Sequence, residues 1–399
     1  MLRFALLFLT TLPVLASQFA IANDGHGYVV GGCKPRLTSF STISAAVSSV
    51  PPGSTIQVCP GTYPEQVVIS QPLTLLGIQS ANQDDPIVTV PVSGLAANTT
   101  SVFGEGVAAQ ILVQTQGPVR IINISVDGTG SDTGCADGTW VAGIFYTPGS
   151  SGNISRARAS GQMNSGCGAG LWAEGDGVTN QSVEIEDSSV HDVGNTGIFV
   201  AENASTPTLN VRVHGNTVSV PNATIGIAIA NVAGTASGND VSNALFGIAE
   251  QATQAHLSSN NIRQCAAGIA LEGGDQINSN QISNTSVGVL FFADGGNLRN
   301  NRITNSTEAA VEFACFAGSA RNNVISDALV GLDQEPAMFA GFNSFDNTGT
   351  VATDGCAAPL AATMQGAAVM QGASVAAPAR STESIWHWRT PASPLGVTQ

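Results

Sequence analysis

The sequence predicts an all-β chain: a single-stranded right-handed parallel β-helix, or solenoid, with a short N-terminal capping helix. Three observations predict it. A repeat of about 21 residues runs through the second half, its apolar runs alternate with period two, and Gly, Asn and Ser punctuate them. Such runs are too short to bury an apolar face alone, but stacked coils share one continuous core.

Residues 1–22 read as a secretory signal peptide, with Arg3 as the positive end, Phe4 to Leu15 apolar, and Ala20-Ile21-Ala22 as the cleavage site. No later stretch is apolar for long enough to span a bilayer, so the mature chain is expected to be a secreted or periplasmic monomer. Loss of Arg3 takes the formal charge from −15 to −16, with Lys34 the sole lysine, a balance that argues against nucleic acid as a partner.

Residues 23–52 are read as the N-terminal cap. In "STISAAVSSVPPG", Ile43, Val47 and Val50 share one helical face, Ser41 is a candidate N-cap, and Pro51-Pro52 ends the helix. Residues 53–350 are read as coils. The first is "STIQVCPGTYPEQVVISQPLTLLG", in which Ile56, Val58, Val67, Ile69, Leu73 and Leu75 point inward and Pro60-Gly61 turns between strands. Residues 351–399 are Ala/Gly/Ser-rich and read as a weakly ordered tail, with Trp386-His387-Trp388 a docking patch.

Aligned on Asn-x-apolar, seven coils begin at Asn216, Asn239, Asn260, Asn280, Asn301, Asn322 and Asn343, at steps of 23, 21, 20, 21, 21 and 21. Asparagine tolerates the left-handed backbone of a sharp turn, and stacked asparagines bond to one another. A second marker keeps the same beat: Gly226-Ile227, Gly247-Ile248, Gly268-Ile269 and Gly288-Val289, with Ala310-Val311 substituting once. Earlier copies at Gly143, Gly170 and Gly197 are spaced by 27, 27 and 29, so those coils carry inserted loops, the expected binding face.

Seven cysteines in an exported chain suggest disulfides. Cys33–Cys59 would staple the cap to the first coil, and Cys135–Cys167 would join successive loops. Cys315–Cys356 is a weaker pairing, with Cys265 left over.

The order helix, PPG, "STIQV", "PGTYPEQVVI", "LTLLG", then Asn-rich coils resembles the start of pectin-lyase-like right-handed β-helix proteins, and "GTYPE" resembles the first pectinesterase signature. The likeness covers roughly residues 38–350. It implies the fold, and a choice among polysaccharide-acting enzymes and NosD-type periplasmic proteins. The remaining pectinesterase motifs are absent: "GVLFFADGG" lacks the leading carboxylate, so Asp294 takes no role from them. NosD-like metal-centre maturation lacks clustered His, Met and Cys.

Glycoside cleavage needs paired carboxylates, and Glu174 and Asp176 in "EGDGV" are one candidate pair. A Ca²⁺-dependent lyase needs carboxylates around a metal and a base. Asp127, Asp132 and Asp137, with Arg156, Arg158 and Arg212 nearby, leave Ca²⁺ open as a cofactor, although no metal ligand is assigned. Counting from the Gly marker places Phe145, Trp172 and Phe199 at one outward position in successive coils, followed by Ala228, Ala249 and Ala270. At about 4.8 Å per strand the rings would form a sugar-stacking ladder roughly 10 Å long, unless a loop folds over them as a second core. A polar pair of rows sets Glu184 beside Arg212 and Glu186 beside His214. These are either ordinary cross-strand ion pairs or a recognition and proton-transfer site. The expected function is binding of polysaccharide or cell-surface glycan by coils 127–215, with cleavage left open; an enzyme here would be a polysaccharide lyase or glycoside hydrolase rather than a pectinesterase. The alternative is a non-catalytic surface or periplasmic scaffold.

Overall fold

A computed structural model describes residues 27–79, 85–131, 138–163, 166–204, 206–221, 223–251, 255–273, 276–293, 295–314, 316–333 and 339–353. The leader, the tail with its tryptophans, Asp132, Asp137, Asp294, Cys135 and the Cys315–Cys356 pairing fall outside those residues.

The chain is a parallel β-helix. One sheet of 14 strands, here sheet A, forms one face; the other faces join into a sheet of 22 strands, sheet B. They join because Gln281–Phe291, Arg302–Glu312 and Val324–Asp333 run unbroken round a corner that the shorter strands of earlier coils interrupt. Pairing is parallel throughout, except that Thr99–Thr100 runs antiparallel to Gly106–Val113.

The inward row of sheet A stacks Ile56, Leu75, Ile121, Ile154, Ile185 and Val213 in register, all fully buried. This row belongs to a single core that continues to Leu332. The Gly marker has a steric cause: a Cβ on Gly226 would lie 2.5 Å from the Gly247 carbonyl oxygen and 2.4 Å from a Val241 methyl. The coils pass too closely there for any side chain.

The asparagine ladder is present, with two corrections. Its sixth member is Asn323, which is fully buried, whereas Asn322 is exposed in the left-handed region at φ 56°. Accordingly Val324 is 40% exposed and Ile325 is buried. Secondly, the left-handed residue is the one before each rung. Gly215, Gly238, Ser259, Ser279, Asn300 and Asn322 take positive φ, and the following Asn turns inward. Asn260 Nδ2 donates to the Ala236 carbonyl at 3.0 Å and to Asn280 Oδ1 at 2.9 Å, and its own Oδ1 accepts from Asn239.

The helix spans Ile43–Ser49 and buries Ile43, Ala46 and Val47; Thr42, not Ser41, accepts from the Ala45 amide as N-cap. The residues resembling an esterase signature hold this region together. Glu65 accepts from the Ile43 and Ser44 amides at 2.7 and 2.9 Å and from the Ser44 hydroxyl. Its charge therefore sits at the helix N-terminus, where the backbone donors favour it. The Tyr63 hydroxyl donates to the Cys59 carbonyl, and Cys59 is disulfide-bonded to Cys33 as expected. Replacing Glu65 by Ala is expected to cost about 1–2 kcal/mol, the scale of a lost cap, read as a lower urea midpoint; Glu65→Gln should recover part of it.

Candidate functional site

The predicted aromatic row exists in register, Phe145 against Trp172 against Phe199, then Ala228, Ala249 and Ala270. It is not an open sugar platform. Phe145 is fully buried, and Trp172 and Phe199 are each 2% exposed. Residues 98–105 fold back across the sheet, bringing Phe103 to 6.3 Å from Phe199 between ring centroids, while Trp140 packs edge-on to Trp172 at 5.6 Å. The rings form a second core outside the first, so the substrate-binding role expected of them is withdrawn.

Glu174 is the anchor of this fold-back rather than a catalytic acid facing solvent. It is fully buried and accepts from Ser101 Oγ at 2.6 Å, the Val102 amide at 2.9 Å and Trp172 Nε1 at 3.1 Å. Desolvation pushes its carboxyl up to about 7, against the pull of these three donors. Asp176 is engaged in a turn. Burial raises its carboxyl, but the Thr179 and Val178 amides and the Thr179 hydroxyl outweigh that and hold it below its ordinary value. Glu174 is thus enclosed, and Asp176 is bound up in its own turn. Asp127 likewise accepts from the Thr129 amide, and Arg158 lies on sheet B beside Ser125 and Ser189. Cys167 is disulfide-bonded; its expected partner, Cys135, lies outside the described residues.

The polar rows stand side by side as counted. On the outer face of sheet A, Arg120, Asn153, Glu184 and Arg212 stack in one row, and Ile122, Ser155, Glu186 and His214 in the next. Glu184 Oε1 lies 3.0 Å from both Arg212 and His214 Nε2, and Glu186 Oε2 lies 3.5 Å from the same nitrogen. Asn153 Nδ2 donates to Glu186 Oε1 at 3.0 Å. Alternation along each strand sends Ile154, Ile185 and Val213 inward and so fixes these side chains outward. An open cleft of about 270 Å³ lies over the rows, lined by Arg120, Asn153, Arg156, Glu184 and Glu186.

Three of these residues escape the sequence reading of a site: Arg120 and Asn153 altogether, and Arg156 in this role. Their signal is a phrase repeated with varying spacing, "VRII", "GNIS", "VEIE", "VRVH", whose second letters are the first polar row. Arg156 occupies a corner at φ 51° where neighbouring coils place Asn123, Asp187 and Gly215. Arginine pays a conformational cost there that asparagine or glycine largely avoids. Among the described residues Arg120 and Arg156 are exposed and have no carboxylate partner.

No family model matches the chain, and no curated protein matches it in sequence. Solved structures do. A GH136 lacto-N-biosidase from Eubacterium ramulus superposes with a TM-score of 0.51 at 11% identity, covering 82% of this chain and 68% of that one. The A-module of the mannuronan C-5 epimerase AlgE6 from Azotobacter vinelandii gives 0.45 at 15% identity, over 78% of this chain and 94% of that one. The periplasmic alginate epimerase AlgG gives 0.42 at 14%, over 77% and 83%. At these identities the likeness is one of fold, the parallel β-helix of the pectin-lyase type.

Proposed function

We propose that this is an exported protein that binds an acidic polysaccharide in the sheet A cleft. The observation that carries this reading is the pair of exposed, unpaired guanidinium groups, Arg120 and Arg156, on an otherwise acidic chain. Guanidinium groups match carboxylates with two parallel hydrogen bonds. In the same cleft Asn153, Glu184 and Glu186 offer partners for sugar hydroxyls. The lacto-N-biosidase, by its name, acts on a carbohydrate, which agrees with the reading. The Cys33–Cys59 disulfide is of the kind that persists outside the cytoplasm, and no helix among the described residues is long and apolar enough to cross a membrane. Any turnover is expected to run through Glu186, which lines the cleft, and His214 beside it, rather than through Glu174.

Calorimetric titration with polyuronate oligosaccharides tests the reading. Each charge-assisted bond contributes about 1.5–3 kcal/mol, so the double variant Arg120→Ala, Arg156→Gly should bind at least about tenfold more weakly. Glycine relieves the left-handed corner, so the melting temperature should not fall. Unchanged affinity in that variant, or no binding of any acidic glycan by the wild type, would refute the proposal. An assay for unsaturated uronate at about 235 nm, with His214→Ala as control, separates a lyase from a binding module.

A further inference from the structure

Glu184 and Glu186 project from one face of strand Gln181–Glu186, and His214 projects beside Glu186 from the neighbouring strand Leu209–His214. One oxygen from each carboxylate and the imidazole Nε2 all lie within 4.8 Å of one another, and all three side chains are half-buried. Among the described residues no other group of His, Cys, Asp and Glu converges in this way.

The spacing is slightly wider than that of ligands around a small cation, which would draw the donors inward. Bonds of about 2.0–2.1 Å at tetrahedral or right angles put neighbouring donor atoms roughly 2.9–3.4 Å apart. The two oxygen-to-nitrogen distances here are 3.0 and 3.5 Å. The surroundings also suit ligands. Asn153 Nδ2 orients Glu186 through the oxygen Oε1, leaving Oε2 for His214, and such outer partners fix ligand geometry. Arg212 shares Glu184 Oε1, but its side chain is 63% exposed and can turn toward water. The strands are interior to sheet A, so the donor atoms sit on a rigid frame.

We propose that Glu184, Glu186 and His214 form a site for one divalent transition-metal cation of the zinc type, with its remaining positions open to the cleft. The donor set decides the class. An imidazole with two carboxylates suits zinc and its neighbours in the first transition row, whereas Ca²⁺ takes six to eight oxygens at about 2.3–2.6 Å. A cation here also offsets the repulsion of two carboxylates on adjacent outward positions. Because binding requires a deprotonated imidazole, occupancy falls on acidification. The site stands whether or not the cleft receives polysaccharide.

The test uses full-length, chelator-washed protein with no sugar present, so its failure is distinct from failure of the glycan reading. Zn²⁺ is expected to bind through this triad with micromolar or tighter affinity and to raise the melting temperature. Ca²⁺ at the same concentration should do neither. His214→Ala and the isosteric Glu186→Gln should each weaken Zn²⁺ binding at least about tenfold, and His191→Ala, on another sheet, should not. The proposal falls if Zn²⁺ gives neither heat nor stabilisation, if Ca²⁺ matches it, or if both triad variants bind Zn²⁺ unchanged.

Discussion

Replacing Asn323 by Ala is expected to lower stability by about 3 kcal/mol or more, while Asn322→Gly changes it by less than about 1 kcal/mol. The two positions are adjacent and chemically identical, yet they lie on opposite sides of the chain. Asn323 donates from Nδ2 to the Leu298 carbonyl and to Asn343 Oδ1, and its Oδ1 accepts from the Asn301 amide and side chain. Truncation leaves several buried donors and acceptors without partners, each costing about 1–3 kcal/mol. Asn322 has only its left-handed backbone to contribute, and glycine adopts that conformation freely. Coils of a solenoid interact mainly with their neighbours. The loss should therefore appear first as faster amide exchange in Arg302–Glu312 and Val324–Asp333, accompanied by a lower urea midpoint. Equal effects at the two positions would show that the ladder is not what holds the last coils.

That pair of asparagines also marks where the fold is legible in the residues and where it is not. The coil period, the glycine row and the outward neighbours are readable because a two-residue alternation pinned by an inward Ile or Val leaves one choice of face. Hence Glu184 against Arg212, and Glu186 against His214, follow from counting. In "RNNVI" the count is ambiguous, since one Asn must take the left-handed turn and the other the ladder, and only the burial of Ile325 decides. The fold-back of residues 98–105 has no periodic signature. It depends on contacts such as Asn203 Nδ2 to the Val102 carbonyl, 101 residues apart, which local pattern does not encode. Arg120 and Asn153 stayed hidden because the loops of the earlier coils differ in length, so the count that pairs Glu184 with Arg212 does not extend back to them. The candidate site is thus half visible: its acidic and histidine side follows from register, its arginine side from geometry.

Stability is expected to fall as pH rises from about 4.5 to above 7, with Glu174 as the cause. Its folded carboxyl titrates near 7 because burial disfavours the charge, against an ordinary value of 4.5. The folded state therefore holds the proton more tightly than the unfolded chain. This contribution is fully present below pH 4.5 and is lost as pH rises through 7, amounting to about 3 kcal/mol. The contact affected is specific: an ionised Glu174 must stay desolvated beneath residues 98–105, held by Ser101 Oγ, the Val102 amide and Trp172 Nε1. Raising the pH should loosen the fold-back over Trp172 and Phe199 before the coils unfold. Melting temperatures of wild type and Glu174→Gln compared across pH 4 to 8.5 read the first effect, and tryptophan fluorescence reads the second. Glutamine cannot ionise, so the difference between the two proteins should change by the same amount over that window. Parallel curves would place the charge elsewhere. They would also reopen the question of whether the ring row is permanently covered, since a fold-back indifferent to the charge of its anchor is held by its other contacts, such as those of Asn98, Phe103 and Asn203.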